Sequence, residues 1–181
     1  PVHLHTKKVI YAYNKPIGQV CRPKDADPDS IFRYVEFPER VNYVGRLDKD
    51  STGLLLLTND GDLANEIQRS RNNHEKEYHV RVNTDITEDF IKKMSEGVEI
   101  LDTVTKPCKV KKTGTRYFSI ILTQGLNRQI RRMCDALHVR VVHLKRVRIM
   151  NIRLGSLRPG EFRTLTRGEE QELRRLVQKR S

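Results

Sequence analysis

The chain has 181 residues, of which 36% are hydrophobic, and its formal net charge is +12. A chain of this length buries about 70% of its unfolded surface, which excludes a peptide hormone and a disordered tail. The excess of lysine and arginine indicates a polyanionic partner. The longest aliphatic run, Leu54–Leu57, is far too short to span a bilayer, so we expect neither a membrane protein nor a secreted one.

The cysteines are Cys21, Cys108 and Cys134, an odd number at wide spacing. Because they include no C-x-x-C pair, they support neither a disulfide framework nor a zinc knuckle, and they predict a reducing, cytoplasmic compartment. The chain starts at Pro1 and reaches the strand-like segment KKVIYAY after six residues. We therefore expect one domain over residues 1–181, preceded by an upstream domain that this sequence does not include.

The first half of the chain predicts three strands and a helix. The strands are expected at 7–14, 41–46 and 53–58, and the last is apolar enough to be buried on both faces. The turn-forming run NDGD then supplies an N-cap for a helix that buries Leu63 and Ile67.

The next segments alternate in type. A strand is predicted at 76–82, followed by a helix that begins after Thr87 and ends at Gly97. Two strands are then expected at 104–111 and 117–123.

The following helix has a clear apolar stripe. Asn127 is the expected N-cap, and the apolar residues at positions i, i+3, i+4 and i+7 are Ile130, Met133, Cys134 and Leu137. At 100° per residue, Arg128 and Arg132 point away from this stripe, whereas Arg131 lies on its border. Arg131 is therefore the arginine that we expect to be partly buried and paired.

The last third of the chain is strand-like from 139 to 154, but its apolar positions change parity twice, which implies bulges or breaks. A capping box, Thr166 to Glu169, precedes a final helix. Because the strands do not alternate regularly with helices, the pattern predicts an α+β fold built on a bent mixed sheet.

Positive charge is concentrated in one segment. Residues 128–153 contain eight lysines and arginines against the single acid Asp135, a net charge of +7 in 26 residues. One interpretation is a solvated helix face beside an exposed edge strand. The charge density favours polyanion binding, since each neutralised phosphate releases counterions. This argument does not separate DNA from RNA.

The segment VGRLDKDSTGLLLLTNDGD places two carboxylates and two bases on a loop between strands. A calcium loop is disfavoured because its twelfth position is Asn59 instead of a glutamate. A phosphoaspartate phosphatase site, starting at Asp48 and Asp50, would require a doubly wound fold that the later strands do not suit. A charged turn in which Arg46 and Lys49 only solvate their acids remains open on this segment alone.

Five segments, in order, resemble the motifs of the RNA pseudouridine synthases of the RsuA/RluB/RluE/RluF family. They are YNKPIG, VGRLDKDSTGLLLLTNDGDLAN, HEKEYHV, QGLNRQIRRMC and KRVRIMNIRLGSLRPGEFRTLT. The resemblance spans nearly the whole chain, and the basic motif is most similar to that of the RluF branch. It implies the pseudouridine synthase fold, with a mostly antiparallel sheet flanked by helices. It also implies that an N-terminal RNA-binding domain precedes this catalytic domain.

The resemblance assigns three catalytic residues. Asp48 matches the family's nucleophile, which acts on the ribose anomeric carbon or on carbon 6 of uracil, or stabilises a glycal intermediate. Because a pocket that desolvates a carboxylate raises its pKa, a cation must oppose that shift. Arg131 matches the family's basic residue and is expected to fork onto Asp48, although a phosphate contact is the alternative. Tyr78 matches the tyrosine that stacks on the target uracil, and proton removal is its second possible role.

Other residues are expected to hold RNA. Arg46 resembles the arginine that fills the space left by the flipped nucleotide and pairs with phosphate. The remaining predicted RNA contacts share a positive charge near the motifs and are Lys76, Arg128, Arg132, Arg146 and Arg148. Ile130 matches an apolar pocket wall, and Lys15 with Pro16 is expected to form a structural turn. Four histidines are expected at the surface or against RNA, namely His74, His79, His138 and His143.

The resulting hypothesis is an isomerase that converts a specific uridine of structured RNA to pseudouridine. Large-subunit ribosomal RNA is the expected partner, with a tRNA as the alternative, and the enzyme is expected to be a monomer. The reaction needs no redox change and no added group, so no cofactor and no metal are expected. A non-catalytic RNA-binding relative is the competing hypothesis, but such a relative is expected to have lost Asp48, Tyr78 or Arg131.

Overall fold

The computed structural model of the protein describes residues 7–180. Its strands are β1 (Ile10–Lys15), β2 (Asn42–Val44), β3 (Thr52–Thr58), β4 (Lys76–Val82), β5 (Glu99–Ile100), β6 (Thr103–Val104), β7 (Lys109–Gly114), β8 (Tyr117–Leu122), β9 (Val141–Ile149), β10 (Ile152–Arg153) and β11 (Phe162–Thr164). Strands β5 and β6 form a separate hairpin, and the others form one mixed sheet in the order β11-β1-β3-β9-β4-β8-β7. Strand β2 pairs with β3, and β10 pairs with β9. The predicted α+β fold with a mixed, mostly antiparallel sheet is confirmed.

The helices begin and end largely where the capping residues predict. They are α1 (Ile31–Tyr34), α2 (Gly61–Arg69), α3 (Glu88–Glu96), α4 (Gln129–Ala136) and α5 (Arg167–Arg180). The side chains of Asp60 and Thr87 accept the capping hydrogen bonds of α2 and α3, and Gly97 ends α3. Thr166 and Glu169 exchange hydrogen bonds of 2.8 and 3.1 Å between side chain and backbone, which confirms the capping box.

The sheet consists of two halves joined by a short parallel contact. Strands β3 and β9 pair only at Thr52 with Lys145 and at Gly53 with Arg146. Gly53 has φ +110°, and a Cβ built on it would lie 2.2 Å from the carbonyl oxygen of Arg146. The junction therefore requires glycine, since any side chain there would overlap the neighbouring backbone.

Three buried clusters support these halves. Residues of β3 face two of them alternately: Leu54 and Leu56 pack with α2 and α5, whereas Leu55 and Leu57 pack with β1 and α1. The third cluster lies between α3, α4 and one face of β4 and β8. The prediction that β3 is buried on both faces is thus confirmed.

Two boundary predictions are wrong. The strand expected to start at residue 104 starts at Lys109, because the preceding residues form the β5–β6 hairpin instead. Asn127 is not the N-cap of α4; Arg128 occupies that position with φ 47° and without a side-chain capping bond. The predicted break in β9 is confirmed as a register shift, since Tyr78 pairs with Arg146 and Glu77 pairs with Arg148. None of the helices within residues 7–180 is long and apolar enough to cross a bilayer.

Candidate active site

A cleft of about 920 Å³ opens where the two halves of the sheet meet. The loop between β2 and β3 forms one wall, and the start of α4 forms another. Residues of β4 and β9 line it as well, including Tyr78, Leu144 and Arg146. Asp48 also lines this cleft. The cleft therefore gathers residues from four of the five motif segments.

The loop that carries Asp48 is fixed from below. Leu47 is buried, and the backbone N–H of Ser51 donates to the carbonyl of Asp48 at 3.0 Å, which closes a turn. The carbonyl of Lys49 accepts from the Gly18 N–H at 2.9 Å and from Lys15 Nζ at 3.5 Å. The YNKPIG segment thus holds the backbone of the loop between β2 and β3, which carries Asp48 and Asp50.

Lys15 is fully buried beneath this loop. Its Nζ donates to the carbonyls of Pro16 and Gln19, each at 2.8 Å. Burial lowers the pKa of Lys15 to about 8, against the opposing influence of nearby acidic groups that include Asp50 and Asp48. The expectation of a structural turn at Lys15 and Pro16 did not include this buried cation.

Asp48 itself is open to solvent, with 46% of its side chain exposed. The desolvating pocket expected around it is therefore not formed by the protein alone. The Oδ2 atom of Asp48 accepts a hydrogen bond from Arg128 Nη1 at 3.2 Å. The carboxylate is thus oriented by an arginine while remaining accessible to a ligand.

Arg128 joins Asp48 to Asp50. Its Nη1 also donates to Asp50 Oδ1 at 3.0 Å, and its Nη2 donates to Asp50 Oδ2 at 2.8 Å. The pKa of Asp50 is lowered, first by this hydrogen bond from Arg128 and also by Arg131. The helical wheel points Arg128 away from the apolar stripe, but its left-handed backbone does not follow that wheel, and its side chain contacts both carboxylates. Its contact with RNA stays a prediction.

Arg131 is partly buried as predicted, with 13% of its side chain exposed. Its Nη2 donates to the Asp50 carbonyl at 2.8 Å and to Ser51 Oγ at 3.3 Å, and its Nη1 lies 3.6 Å from Asp50 Oδ2. The expected fork onto Asp48 is therefore wrong in this structure. Arg131 supports the backbone of the loop, and Arg128 contacts Asp48.

Tyr78 lies half-buried on the floor of the cleft, between Ile120 and Arg146 of the neighbouring strands. Arg146 is only 6% exposed, and its Nε donates to the Leu54 carbonyl at 2.9 Å. Its Nη1 donates to the Arg46 carbonyl at 3.4 Å. Arg146 therefore joins the two halves of the sheet, and little of its side chain is left exposed for the predicted phosphate contact.

Arg148 does not face the cleft. It is buried, and it forms ion pairs with Glu77 at 3.0 Å and with Glu75 at 3.2 Å. It also donates to the Met150 carbonyl at 2.7 Å. Its predicted role as an RNA contact is replaced by a structural one.

The other predicted RNA contacts lie at the cleft or beside it. Arg46 is exposed and lines it, and Arg132 is exposed and donates to the backbone and the side chain of Asn127, both at 3.0 Å. Lys76 lines the cleft as well, and burial followed by the charges of Arg146 and Arg71 lowers its pKa to about 8. These residues leave positive charge around the opening.

Ile130 is buried and lines the cleft, as the apolar-wall prediction requires. His74 is also buried, with its Nε2 2.6 Å from Ser70 Oγ, so it does not lie at the surface. It lines the cleft, where its alternative role against RNA stays a prediction. Asp50 is the residue that the sequence analysis left without a role. Its signal was the D-x-D spacing, which places both carboxylates within reach of one guanidinium.

The sequence profile described as RNA pseudouridylate synthase matches residues 9–136. The chain belongs to this family. It is 52% identical over 173 residues to the dual-specificity RNA pseudouridine synthase RluF of Escherichia coli (strain K12), covering 96% of this chain and 60% of that protein.

Two further pseudouridine synthases are similar to the chain at lower identity. The ribosomal large subunit pseudouridine synthase B of Bacillus subtilis (strain 168) is 32% identical over 177 residues, which is 93% of this chain and 72% of that protein. A solved crystal structure of a pseudouridylate synthase superposes with a TM-score of 0.85 at 31% identity, covering 94% of this chain and 75% of that one. The predicted family and fold are therefore confirmed. The chain spans about 60% of the length of the RluF proteins that it matches.

Proposed function

We propose that this protein isomerises uridine in RNA to pseudouridine, with Asp48 as the nucleophile. The observation that carries the proposal is the position of Asp48 in a pseudouridine synthase domain. Its carboxylate lies at the opening of the cleft, 46% exposed and oriented by Arg128.

The reaction breaks the glycosidic bond between N1 of uracil and C1′ of ribose, turns the base over and joins its C5 to C1′. The proton on C5 leaves, and N1 gains one, so the product is an isomer of the substrate. Asp48 can attack C1′ or C6 of uracil, or promote a glycal. None of these routes needs an oxidant, a metal or a cofactor, and we propose that none is used.

The arginines hold the nucleophile in place. Arg131 fixes the backbone through the Asp50 carbonyl, and Arg128 bridges the carboxylates of Asp48 and Asp50. Since Asp48 is exposed without RNA, the bound nucleotide itself must exclude water from it. Its attraction to Arg128 then strengthens in the lower dielectric of the closed site.

The walls of the cleft suit a flipped base. Tyr78 offers an aromatic ring on the floor, on which uracil can stack, and Ile130 adds an apolar wall. Extruding a base from a stem costs a few kcal/mol. We propose that Arg46 offsets part of this cost by entering the vacated space and binding phosphate, while Lys76 and Arg132 bind phosphates nearby.

For the substrate we propose structured large-subunit ribosomal RNA, with a tRNA as the second candidate. The name of the Bacillus subtilis relative refers to the large ribosomal subunit, and that of the Escherichia coli relative to dual specificity. We further propose that residues 1–181 act as a monomeric catalytic domain in the cytoplasm. The three cysteines are free thiols, which suits a reducing compartment.

Pseudouridine mapping tests the function directly. Purified protein is incubated with large-subunit ribosomal RNA and, separately, with a tRNA pool, both transcribed in vitro and so free of modification. We expect pseudouridine at one or a few discrete uridines of the ribosomal RNA. Binding of this RNA without any pseudouridine would support the non-catalytic alternative instead.

A further inference from the structure

The half of the sheet that carries Tyr78 has a second face, opposite to the cleft. In β4, Tyr78, Val80 and Val82 contact the buried cluster under α3 and α4. Side chains alternate along a strand, so His79 and Arg81 point to the other side. We call this other side the back face and define it by His79, Arg81, Lys111, Tyr117, Ser119 and Lys145.

Strand pairing aligns the cations of the back face in rows. Ser119 pairs with Lys111 on one side and with His79 on the other, and His79 pairs with Lys145. Next to this row, Arg81 pairs with Tyr117. With strands about 4.8 Å apart, the row from Lys111 to Lys145 is about 14 Å long.

The positive charge of the back face is uncompensated. Within residues 7–180, the side chains of Arg81, Lys111 and Lys145 form no ion pair and no hydrogen bond. Lysines on an edge strand such as β7 guard against edge-to-edge pairing. That explanation does not extend to Arg81 and Lys145, because β4 and β9 are interior strands.

Two further observations indicate a polyanion. Tyr117 is an aromatic side chain that is 48% exposed beside these cations. The pKa of His143, which pairs with Arg81, is lowered by burial and then by nearby cations that include Lys145. Arg81 and Lys145 are diagonal neighbours across β4 and β9, and like charges so placed repel each other, so an anionic ligand would relieve repulsion that the fold itself leaves in place.

We propose that the back face is a second RNA-binding surface, which contacts the phosphates of a segment outside the cleft. The inference rests on the proposed function in taking RNA as the polyanion. Because the sheet separates the back face from the cleft, the segment that it binds is not the one that delivers the target uridine. The contact is sequence-independent, since phosphates carry no base information.

The test uses two variants with equal charge change. The back-face variant combines Arg81→Gln, Lys111→Gln and Lys145→Gln. The control variant combines Lys24→Gln, Arg40→Gln and Lys92→Gln, which are exposed positions elsewhere. Affinity for a labelled 40-nucleotide oligouridine is measured over a series of salt concentrations, and thermal melting verifies that each variant is folded.

We expect the back-face variant to bind oligouridine with a salt slope lower by about 2, at about 0.7 per lost phosphate contact. The control variant is expected to keep the slope of the wild-type protein. Equal salt slopes in wild type and both variants, or an equal decrease of the slope in both variants, would overturn the proposal. The back face would then be a solvated surface or would bind another kind of partner.

Turnover separates this proposal from the proposed function. At saturating protein, the back-face variant is expected to form pseudouridine in the ribosomal transcript at the wild-type single-turnover rate. A rate that falls at saturation would place these residues in the active site and overturn the assignment to a separate surface. Absence of pseudouridine with the wild-type protein would contradict the proposed function, and the salt slopes would still decide the back face.

Discussion

The guanidinium of Arg128 donates to the carboxylate of Asp48 at 3.2 Å. Because Arg128 is the N-cap of α4, this contact links the start of α4 to the loop between β2 and β3. The contact depends on a left-handed backbone at Arg128, with φ 47°. A non-glycine residue in this conformation is strained, and such strain is retained where the surroundings hold it. Here the fork onto Asp50 provides that hold.

Replacing Arg128 tests whether this contact serves the reaction. We expect Arg128→Met to lower the single-turnover rate at saturating RNA by about 10- to 100-fold, because the nucleophile loses its orientation. The rate of Arg128→Lys is expected to lie between those of Arg128→Met and wild type, since lysine keeps the charge but cannot form the bidentate contact. Wild-type rates in both variants, with only weaker RNA binding, would make Arg128 a phosphate contact alone.

Arg131 and Arg132 are neighbours with different expected effects. Arg131→Met removes donors to the Asp50 carbonyl and Ser51, and is expected to destabilise the fold by about 1–3 kcal/mol and to slow single turnover. Arg132→Met is the matched control, and it is expected to raise only the RNA concentration needed for the half-maximal rate. The two variants are compared by chemical denaturation and by rates across RNA concentrations. Identical behaviour would remove the distinction between loop support and RNA binding.

Gly53 supports the junction of the two half-sheets. We expect Gly53→Ala to destabilise the protein by at least about 2 kcal/mol, because the new Cβ overlaps the Arg146 carbonyl at a positive φ. Gly61→Ala is the control, since nothing lies within 4 Å of its added Cβ. Thermal unfolding of both variants measures the difference. A Gly53→Ala protein as stable as Gly61→Ala would show that β3 and β9 separate easily.

Much of the fold was predictable because local patterns determine it. The alternation of Leu54 to Leu57, the caps of α2 and α3 and the parity changes of β9 follow from side-chain periodicity and turn chemistry. The family motifs likewise assigned Asp48 and Tyr78 to one site, and both residues line the cleft.

The pairing of the arginines was not predictable in the same way. A helical wheel assigns directions only to helical residues, and Arg128 is not helical. Arg148 bonds to two acids that lie more than 70 residues away in sequence. Glu77 belongs to the neighbouring strand β4, and Glu75 directly precedes that strand. Arg146 is buried because it bonds to carbonyls of another strand and its loop, a tertiary contact that no local pattern shows.

The pH dependence of stability tests the buried state of Lys15. Its pKa falls from 10.5 to about 8 on folding. Below pH 8 its burial costs about 3 kcal/mol, at 1.36 kcal/mol per unit. Between pH 8 and 10.5 the unfolded chain binds more protons, so this cost is relieved and its contribution to the free energy of unfolding rises with pH.

The measurement compares wild type with Lys15→Met by chemical denaturation from pH 7 to pH 10.5. We expect the rise of stability with pH to be smaller in Lys15→Met, whereas Lys92→Met, at an exposed position, keeps the wild-type profile. The contribution of Lys76, whose pKa is also lowered, is common to all three proteins. Parallel profiles for wild type and Lys15→Met would show that folding does not lower the pKa of Lys15.

The central claim is that Asp48 performs the chemistry, and Asp48→Asn tests it most directly. The amide is nearly isosteric with the carboxylate but far less nucleophilic. With ribosomal RNA transcribed in vitro, we expect no pseudouridine from this variant in a single-turnover assay, while its affinity for the RNA stays within a few-fold of wild type. Turnover above a few per cent of the wild-type rate, at saturating RNA, would contradict the assignment of Asp48 as the nucleophile.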